Sequence, residues 1–154
     1  KFAFIGGIEK TTDAMERYQG FYDTLQKNSI HFPQKNYFVG DYREKSGYTA
    51  AKILALTEVL PDALICANDR MAIGAIKAFR EENIRVPEDI AVTGFDDNER
   101  AGEIGLTTVA VPDYERGYLA ALYLIEALKG KETANIFRIS AKIKNRKTVL
   151  VKKK

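Results

Sequence analysis

Residues 63–97 read ALICANDRMAIGAIKAFREENIRVPEDIAVTGFDD, and this stretch decides the fold. It opens with Ala63–Cys66, a continuous apolar run of the kind that forms a strand buried on both faces of a parallel sheet. In Asp69–Glu81 apolar residues recur every three or four positions, which predicts an amphipathic helix. Ile90–Thr93 is a second apolar run, and Gly94 ends it. Strand, helix and strand in this order form a βαβ unit, so the two strands are predicted to lie parallel in one sheet.

The same alternation continues on both sides of this unit. The further predicted strands are Phe2–Ile5, Tyr37–Val39, Leu106–Val109 and Ile136–Ile143. The further predicted helices are Asp13–Lys27, Arg43–Leu56, Asn98–Glu103 and Tyr114–Leu128. Successive strands in the first hundred residues lie about 30 residues apart, which is the repeat expected of βαβ units. The fold class is therefore predicted to be α/β, a Rossmann-like parallel sheet flanked by helices on both faces.

Two of these helices carry patterns that burial can test. In the first helix, four apolar residues fall on one stripe by the three-to-four spacing and are predicted to face the sheet: Met15, Tyr18, Tyr22 and Leu25. The segment Tyr118–Ile125 is apolar on nearly all sides, so a helix there needs cover on more than one side. The strands before it do not supply such cover, so we expect this last helix to pack on protein outside this chain.

The charge distribution and the cysteine content argue against several classes of protein. The chain carries a formal charge of +3, but seven of its 24 basic residues lie in 142–154, where no acidic residue occurs. Residues 1–141 thus hold 17 basic against 21 acidic residues, and the basic end is expected to be a solvated tail. No basic stripe, helix-turn-helix or apolar run of about 20 residues is visible, so neither DNA contact by this chain nor a membrane helix is predicted. The single cysteine, Cys66, allows no intrachain disulfide, which favours a reducing compartment.

Hydrogen-bonding side chains collect directly after the predicted strands. Ligands of open parallel sheets bind beyond the carboxyl ends of the strands. At these ends lie the pairs Gly6-Gly7, Asp41-Tyr42, Asn68-Asp69 and Asp96-Asp97. Arg17 lies early in the first helix, near the same edge. Carboxylate, amide and guanidinium groups can hydrogen-bond to neighbouring hydroxyls and an aromatic face suits a sugar ring, so a polyol site is predicted among these residues.

Each of these residues also has a purely structural interpretation. Asp69 is a candidate N-cap for the helix it opens, and Asn68 a candidate turn residue. Asp96 or Asp97 could cap the helix near Asn98. Arg17 and Tyr42 could be an ordinary solvated helix residue and a packed surface aromatic. The sequence leaves these alternatives open.

Catalysis receives little support. His31, the only histidine, lies in a loop without an evident nucleophile, and Cys66 lies inside a strand. Asp96 and Asp97 are adjacent and expected to diverge, which makes a poor acid–base pair. Gly6-Gly7 lacks the spacing of a phosphate-binding loop, and no metal-ligand spacing occurs. No catalytic residue, metal or cofactor is predicted.

Two segments resemble the signatures of the lactose-repressor/galactose-repressor (LacI/GalR) family of transcriptional regulators, namely 86–97, VPEDIAVTGFDD, and 67–78, ANDRMAIGAIKA. Shorter matches in family order lie at 4–7, 16–21, 40–48 and 106–109. The resemblance implies the effector domain of such a regulator, whose fold is like that of periplasmic sugar-binding proteins. Residues 1–110 would form its C-terminal subdomain, 111–135 a crossover helix belonging to the other subdomain, and 136–154 a return strand with the basic tail.

The resemblance also implies partners and site residues. Arg17, Asn68 and Asp96 match effector contacts, and Tyr42 matches an aromatic that stacks on the ligand. Helix Arg70–Phe79 and segment Asn98–Ile104 match the dimer interface, with Met71, Ala75, Asn98 and Ala101 as the expected contacts. The implied protein is a cytoplasmic homodimer without enzymatic activity that binds a sugar or related polyol. Operator DNA would be bound by an N-terminal domain that lies outside this chain, since the chain opens directly on a strand.

Two other classes stay open on the sequence alone. The first is a sugar-binding protein of a transporter or chemoreceptor, which has the same sensor fold. The second is a nucleotide-dependent α/β enzyme, which would use Gly6-Gly7 for phosphate and Asp96 for chemistry.

Overall fold

Strands and helices alternate along residues 1–132 and 138–150, which are the residues that the computed structural model describes. The strands are β1 (Phe2–Ile5), β2 (Tyr37–Phe38), β3 (Ala63–Cys66), β4 (Ala91–Thr93), β5 (Thr108–Ala110) and β6 (Lys142–Lys144). The helices are α1 (Thr12–Lys27), α2 (Glu44–Ala55), α3 (Asp69–Glu81), α4 (Glu99–Ile104) and α5 (Asp113–Leu128). All eleven predicted elements have a counterpart, and their ends agree within two residues except for the beginning of the last strand.

The main sheet has the strand order β2-β1-β3-β4, and all its neighbours are parallel. Two isolated parallel bridges, Thr93 with Thr107 and Asp96 with Ala110, bring the segment of β5 alongside β4. The predicted parallel α/β sheet is thus confirmed. The predicted last strand, Ile136–Ile143, begins later, because β6 starts at Lys142 and pairs antiparallel with β5; Ile136 itself lies outside the described residues.

Helices lie on both faces of the sheet, but they cover them unequally. The ring of Phe4 contacts Tyr18 of α1 at a centroid distance of 5.4 Å, so α1 lies on the face to which Phe4 points. Ile5 points to the opposite face, where α3 packs, and there Leu64 and Val92 are fully buried. On the α1 face Ile65 is only partly buried, and it lines a small pocket with Phe21 and Ile143. The prediction that β3 is fully buried on both faces was therefore wrong for this face.

The inward stripe of α1 is shifted by one residue from the predicted one. Tyr18 and Tyr22 pack against the core and Leu25 is buried, as expected. Met15, however, is 56% exposed, whereas its neighbour Ala14 is buried. Ala14 lies four residues before Tyr18 and shares its face, and Met15 lies about 100° away around the helix.

The helix caps settle one open alternative. Asn68, not Asp69, is the N-cap of α3, and its side-chain oxygen accepts a hydrogen bond from the Met71 amide at 3.0 Å. Asn98 caps α4 in the same way through the Ala101 amide, which leaves Asp96 and Asp97 without a capping role. The prediction that Asp69 caps α3 was wrong because Asn68, one residue earlier, holds that position.

Three of the four expected dimer contacts are buried inside the chain. Met71, Ala75 and Ala101 have no exposed surface, so they cannot touch a partner directly, and the prediction of contacts there was wrong. The reason is the close packing of α2 on α3, where a side-chain carbon at Gly47 would collide with the Met71 backbone. The small residues of α3 serve this packing. Asn98 remains partly exposed.

Helix α5 buries none of its residues. Tyr118, Leu124, Ile125 and Leu128 are between 49% and 79% exposed, which is unusual for four large apolar side chains on one helix. The expectation that α5 packs on protein outside this sheet therefore stays a prediction. Within 1–132 and 138–150 no helix is both long and apolar enough to cross a membrane.

Candidate functional site

The four predicted ligand residues meet at the carboxyl edge of the parallel sheet. Arg17 reaches this edge from α1, Tyr42 from the loop after β2, Asn68 from the cap of α3 and Asp96 from the loop after β4. The Arg17 Nη2 atom lies 3.4 Å from the Asp96 carboxylate, and its guanidinium carbon lies 5.8 Å from the centre of the Tyr42 ring. The Asn68 amide nitrogen donates to the Tyr42 carbonyl oxygen at 3.0 Å.

Arg17 is held in place by three neighbours. Its Nη1 atom donates to the Ala67 carbonyl oxygen at 2.5 Å, and its guanidinium lies over the Phe95 ring, 4.0 Å from the centroid. The ion pair with Asp96 completes the set. The side chain is only 22% exposed, so its position at the edge is well defined.

Tyr42 is held by a carboxylate that sequence reasoning missed. Its hydroxyl donates to Asp13 at 2.7 Å, and its backbone has a φ of +65°. The hydrogen bond from Tyr42 lowers the pKa of Asp13, while burial and the bond to Asp13 raise the pKa of Tyr42. At neutral pH the pair is thus a phenol donating to a carboxylate. Asp13 lies in the first turn of the helix that follows Gly6-Gly7, and this position beyond the strand end was the signal that could have found it.

Asp96 is presented by a strained turn. Asp96 and Asp97 both have positive φ, +111° and +61°, a region that residues other than glycine rarely adopt. Such conformations persist when the surroundings fix them. Here the Asp96 amide donates to the Val109 carbonyl oxygen at 2.9 Å, and Arg146 pairs with the Asp97 carboxylate at 2.6 Å. The turn directs Asp97 away from the cleft and leaves Asp96 facing Arg17.

The buried side chain of Asp69 stabilises the same turn. Its side chain is fully buried and accepts hydrogen bonds from the Asn98 amide at 2.8 Å and the Thr108 hydroxyl at 2.5 Å. Burial raises the pKa of Asp69, and these two donors oppose that effect. Asp69 therefore joins α3, the beginning of α4 and β5, and does not face the cleft.

Asn68 has less freedom to bind a ligand than its neighbours. It is only 6% exposed, its oxygen caps α3, and its nitrogen donates to the backbone of Tyr42. An amide nitrogen has a second hydrogen, so one donor stays available in principle. The main contribution seen in the structure is to hold the Tyr42 loop against α3.

A cleft of about 590 Å³ adjoins this cluster. It lies between the beginnings of α1 and α5, and its lining includes Asp13, Glu16, Arg17, Phe95 and Arg116. A smaller, mostly apolar pocket of about 270 Å³ lies behind Arg17, between Phe21, Ile65 and Val109. Charged groups on one side and apolar surface on the other suit a molecule with both hydroxyls and a C–H face.

The charges of the carboxyl groups around the cleft affect the pKa of Asp96. Burial raises the pKa of Asp96, and the charge of Arg17 opposes that effect. The negative charges of Asp69, Asp113 and Asp13 raise it further. Arg17 is thus the neighbour whose charge limits the rise in the pKa of Asp96.

Cys66 and His31, two residues weighed for catalysis, are not members of this cluster. Cys66 is buried and burial raises its pKa, which disfavours the reactive thiolate. His31 lies exposed in the loop after α1. Side-chain carbons at Gly6 and Gly7 would collide with the rings of Tyr37 and Tyr42, so these rings fill the space that a phosphate would need. A search of residues 1–132 and 138–150 finds no group of three or more His, Cys, Asp or Glu side chains that could hold a metal.

Comparison with known proteins agrees with this geometry. The family model of periplasmic binding protein-like domains matches residues 1–149. The transcriptional regulator RegA of Clostridium saccharobutylicum is 34% identical over 134 residues, which are 84% of this chain and 40% of RegA. The transcriptional repressor PurR of Haemophilus influenzae is 35% identical over 129 residues, 82% of this chain and 38% of PurR. The chain thus spans about two fifths of the length of these relatives.

Solved structures show the same similarity. A lac repressor dimer bound to operator and the anti-inducer ONPF matches with a TM-score of 0.90 and 29% identity, over 98% of this chain and 53% of that one. The complex of the transcriptional regulator CelR with cellobiose matches with a TM-score of 0.87 and 28% identity, over 96% and 46% respectively.

Proposed function

The chain belongs to the family of periplasmic binding protein-like domains, in its LacI/GalR branch, and on this basis we propose that it is the effector-sensing part of a transcriptional regulator. The effector is a sugar or a related polyol. One observation carries this proposal: Arg17, Tyr42 and Asp96 converge at the carboxyl edge of a parallel sheet, beside a cleft of about 590 Å³. CelR, a structural neighbour, binds cellobiose, which supports a sugar as the effector class.

In this proposal Arg17 and Asp96 bind hydroxyls of the effector. A guanidinium donates and a carboxylate accepts, so the pair can hold two neighbouring hydroxyls of one ring. Tyr42 and Phe95 offer aromatic faces to the C–H side of the ring. Asn68 and Asp13 hold Tyr42 in position.

The signal passes through closure of the cleft. Residues 1–110 form one subdomain, 111–135 the crossover helix of the other subdomain, and 136–154 the return strand and basic tail. The exposed apolar surface of α5 supports this division, since Tyr118 and Leu124 have no cover here. An effector that binds the closed state more tightly shifts the equilibrium toward it. Closure of the cleft would then alter how a DNA-binding domain outside this chain contacts operator DNA.

The same proposal covers partners and location. The protein acts as a homodimer in the cytoplasm and has no enzymatic activity. The dimer contacts come from the exposed sides of α3 and α4, which carry Arg70, Asn98 and Arg100. The dimeric lac repressor among the structural neighbours supports this assembly.

The experiment uses the complete polypeptide that the gene encodes and a panel of neutral mono- and disaccharides that includes cellobiose. Thermal-shift assays identify a binding sugar, and calorimetry measures its Kd. We expect Arg17→Met and Asp96→Asn each to weaken binding by about 10-fold to 100-fold, since each removes a charge-assisted hydrogen bond. Asp23→Asn, a charge change at the far end of α1, is the matched control and should leave the Kd unchanged.

Two results would contradict the proposal. The first is a panel without any binding sugar. The second is a sugar whose Kd is the same in Arg17→Met, Asp96→Asn and the control. A secretion signal encoded upstream, in place of a DNA-binding domain, would support the transporter or chemoreceptor class instead.

A further inference from the structure

The charged side chains around the cleft are mostly acidic. Two basic side chains line it, those of Arg17 and Arg116, together with two acidic ones, those of Asp13 and Glu16. Asp96 and Asp113 lie behind this lining, where they pair with Arg17 and Arg116. Among these six side chains the carboxylates exceed the guanidinium groups by two.

Both arginines already pair with a carboxylate of the protein. Arg17 donates to the Ala67 carbonyl oxygen, pairs with Asp96 at 3.4 Å and has its guanidinium over the Phe95 ring. Arg116 pairs with Asp113 at 2.9 Å. A phosphate or carboxylate that approached either guanidinium would therefore also meet the negative charge of the neighbouring carboxylate.

The helix end nearest the cleft already holds an anion. A helix N-terminus attracts negative charge because its first amide groups lack partners within the helix. The N-cap of α1, Thr11, makes no side-chain capping bond. Asp13 supplies the missing charge: it lies in the first turn, and the hydrogen bond from the Tyr42 hydroxyl lowers its pKa.

The loop that could cradle a phosphate is also filled. Gly6 and Gly7 follow β1 in the position where phosphate-binding loops lie. A side-chain carbon at Gly6 would collide with the Tyr37 ring and one at Gly7 with the Tyr42 ring. The two tyrosine rings therefore occupy the space directly beside both glycines.

From these four observations, and resting on the function proposed above, we propose that the effector carries no negative charge. The site takes a neutral sugar or an amino sugar, and it rejects sugar phosphates and uronic acids. Asp13 is the specificity-determining residue, because it removes the attraction of the α1 terminus for anions and adds its own charge to the cleft.

The test measures the Kd of matched sugars on the complete polypeptide by calorimetry. The set comprises glucose, galactose and cellobiose as neutral sugars, glucosamine and galactosamine as amino sugars, and glucose 6-phosphate, galactose 6-phosphate and glucuronic acid as anions. Inorganic phosphate is the probe for the anion alone. We expect a neutral or amino sugar to bind at least about 10-fold more tightly than its anionic counterpart. Inorganic phosphate should show no measurable binding at about 10 mM, since an isolated exposed ion pair contributes at most about 1 kcal/mol.

Asp13→Asn tests the role of the residue, because an asparagine oxygen can still accept the Tyr42 hydrogen bond. We expect it to improve the Kd of the anionic sugars by about threefold to 10-fold relative to the neutral ones. Asp23→Asn is the control, since it changes the net charge equally on the same helix, about 15 Å along the axis. The control should leave the ratio unchanged.

The outcomes separate the two proposals. Tight binding of a phosphorylated sugar or of inorganic phosphate, lost in Arg17→Met, overturns the charge selectivity while leaving a sensor in place. If the ratio of the Kd of an anionic sugar to that of its neutral counterpart is the same in Asp13→Asn and Asp23→Asn, Asp13 does not determine the selectivity. A set in which no sugar of any charge binds overturns the proposed function itself.

Discussion

At the scale of single residues, the site rests on a few side chains that fix one another. Arg17 bridges Ala67, Asp96 and Phe95, and Asp13 holds Tyr42. The position of Asp96 at the sheet edge could be predicted, because the carboxyl ends of parallel strands meet at one edge. Its backbone φ of +111° could not, because long-range contacts with β5 impose it. Asp13 was missed because it follows β1 by eight residues, and only the folded helix brings it back to the edge.

The dependence of Asp96 on Arg17 gives a prediction about its ionisation. Arg17→Met should raise the pKa of Asp96 above its wild-type value, because burial and the neighbouring carboxylates then act unopposed. Carbon-13 NMR of the aspartate carboxyl signals during a pH titration measures this. Arg85→Met, in the exposed Arg85–Asp89 pair, is the control and should leave Asp96 unchanged. A pKa of Asp96 that stays the same or falls in Arg17→Met would refute the coupling.

The sign of the pH effect follows from the direction of the shift. The pKa of Asp96 in the folded chain lies above its ordinary value of 3.8, so the folded state keeps the proton longer than the unfolded state. As the pH rises through this window, Asp96 therefore lowers the free energy of unfolding. Sugar affinity should change with pH in the opposite direction, since the ionised carboxylate accepts hydrogen bonds from the ligand hydroxyls. It should fall as the pH drops through the pKa of Asp96, and Arg17→Met should move this fall to higher pH.

At the scale of elements, periodicity predicted the order and type of nearly all strands and helices. Its errors have physical reasons. Apolar content alone could not show that β3 is covered on one face only, because coverage depends on the side to which each crossover turns. The same holds for Met71, Ala75 and Ala101, which a linear pattern cannot distinguish from surface contacts. Burial of α3 by α2 depends on Gly47 and Gly74, where the two backbones approach closely.

One contact between elements should govern the turn that presents Asp96. Arg146, after β6, pairs with Asp97 at 2.6 Å and donates to the Leu106 carbonyl oxygen at 2.9 Å, with both ionic side chains less than a quarter exposed. Arg146→Met should reduce the free energy of unfolding by about 1.5–3 kcal/mol, which is the range for hydrogen bonds to charged groups. It should also speed amide hydrogen exchange at residues 95–98, because the turn loses an anchor. Urea unfolding and exchange mass spectrometry measure the two effects.

The exposed pair Arg85–Asp89 provides the comparison. Arg85→Met removes a similar ion pair at the surface and should change stability little. If Arg146→Met and Arg85→Met show the same free energy of unfolding and the same amide exchange rates at residues 95–98, the Arg146–Asp97 pair does not anchor the turn.

At the scale of the whole molecule, the proposed effector cleft lies between the beginnings of α1 and α5, where Arg17 and Arg116 line it. Helix α5 leaves large apolar side chains such as Leu124 and Leu128 exposed. The apolar character of this helix was evident from its sequence. What covers it could not be predicted, because an apolar pattern shows that a helix needs cover and does not show what supplies it.

The most direct test of the account is a crystal structure of the complete polypeptide with its sugar effector bound. The account predicts sugar hydroxyls at about 2.6–3.2 Å from both the Arg17 guanidinium and the Asp96 carboxylate, with the C–H face of the ring against Tyr42 or Phe95. A sugar bound elsewhere, with Arg17 and Asp96 paired to each other and untouched by the ligand, would contradict it.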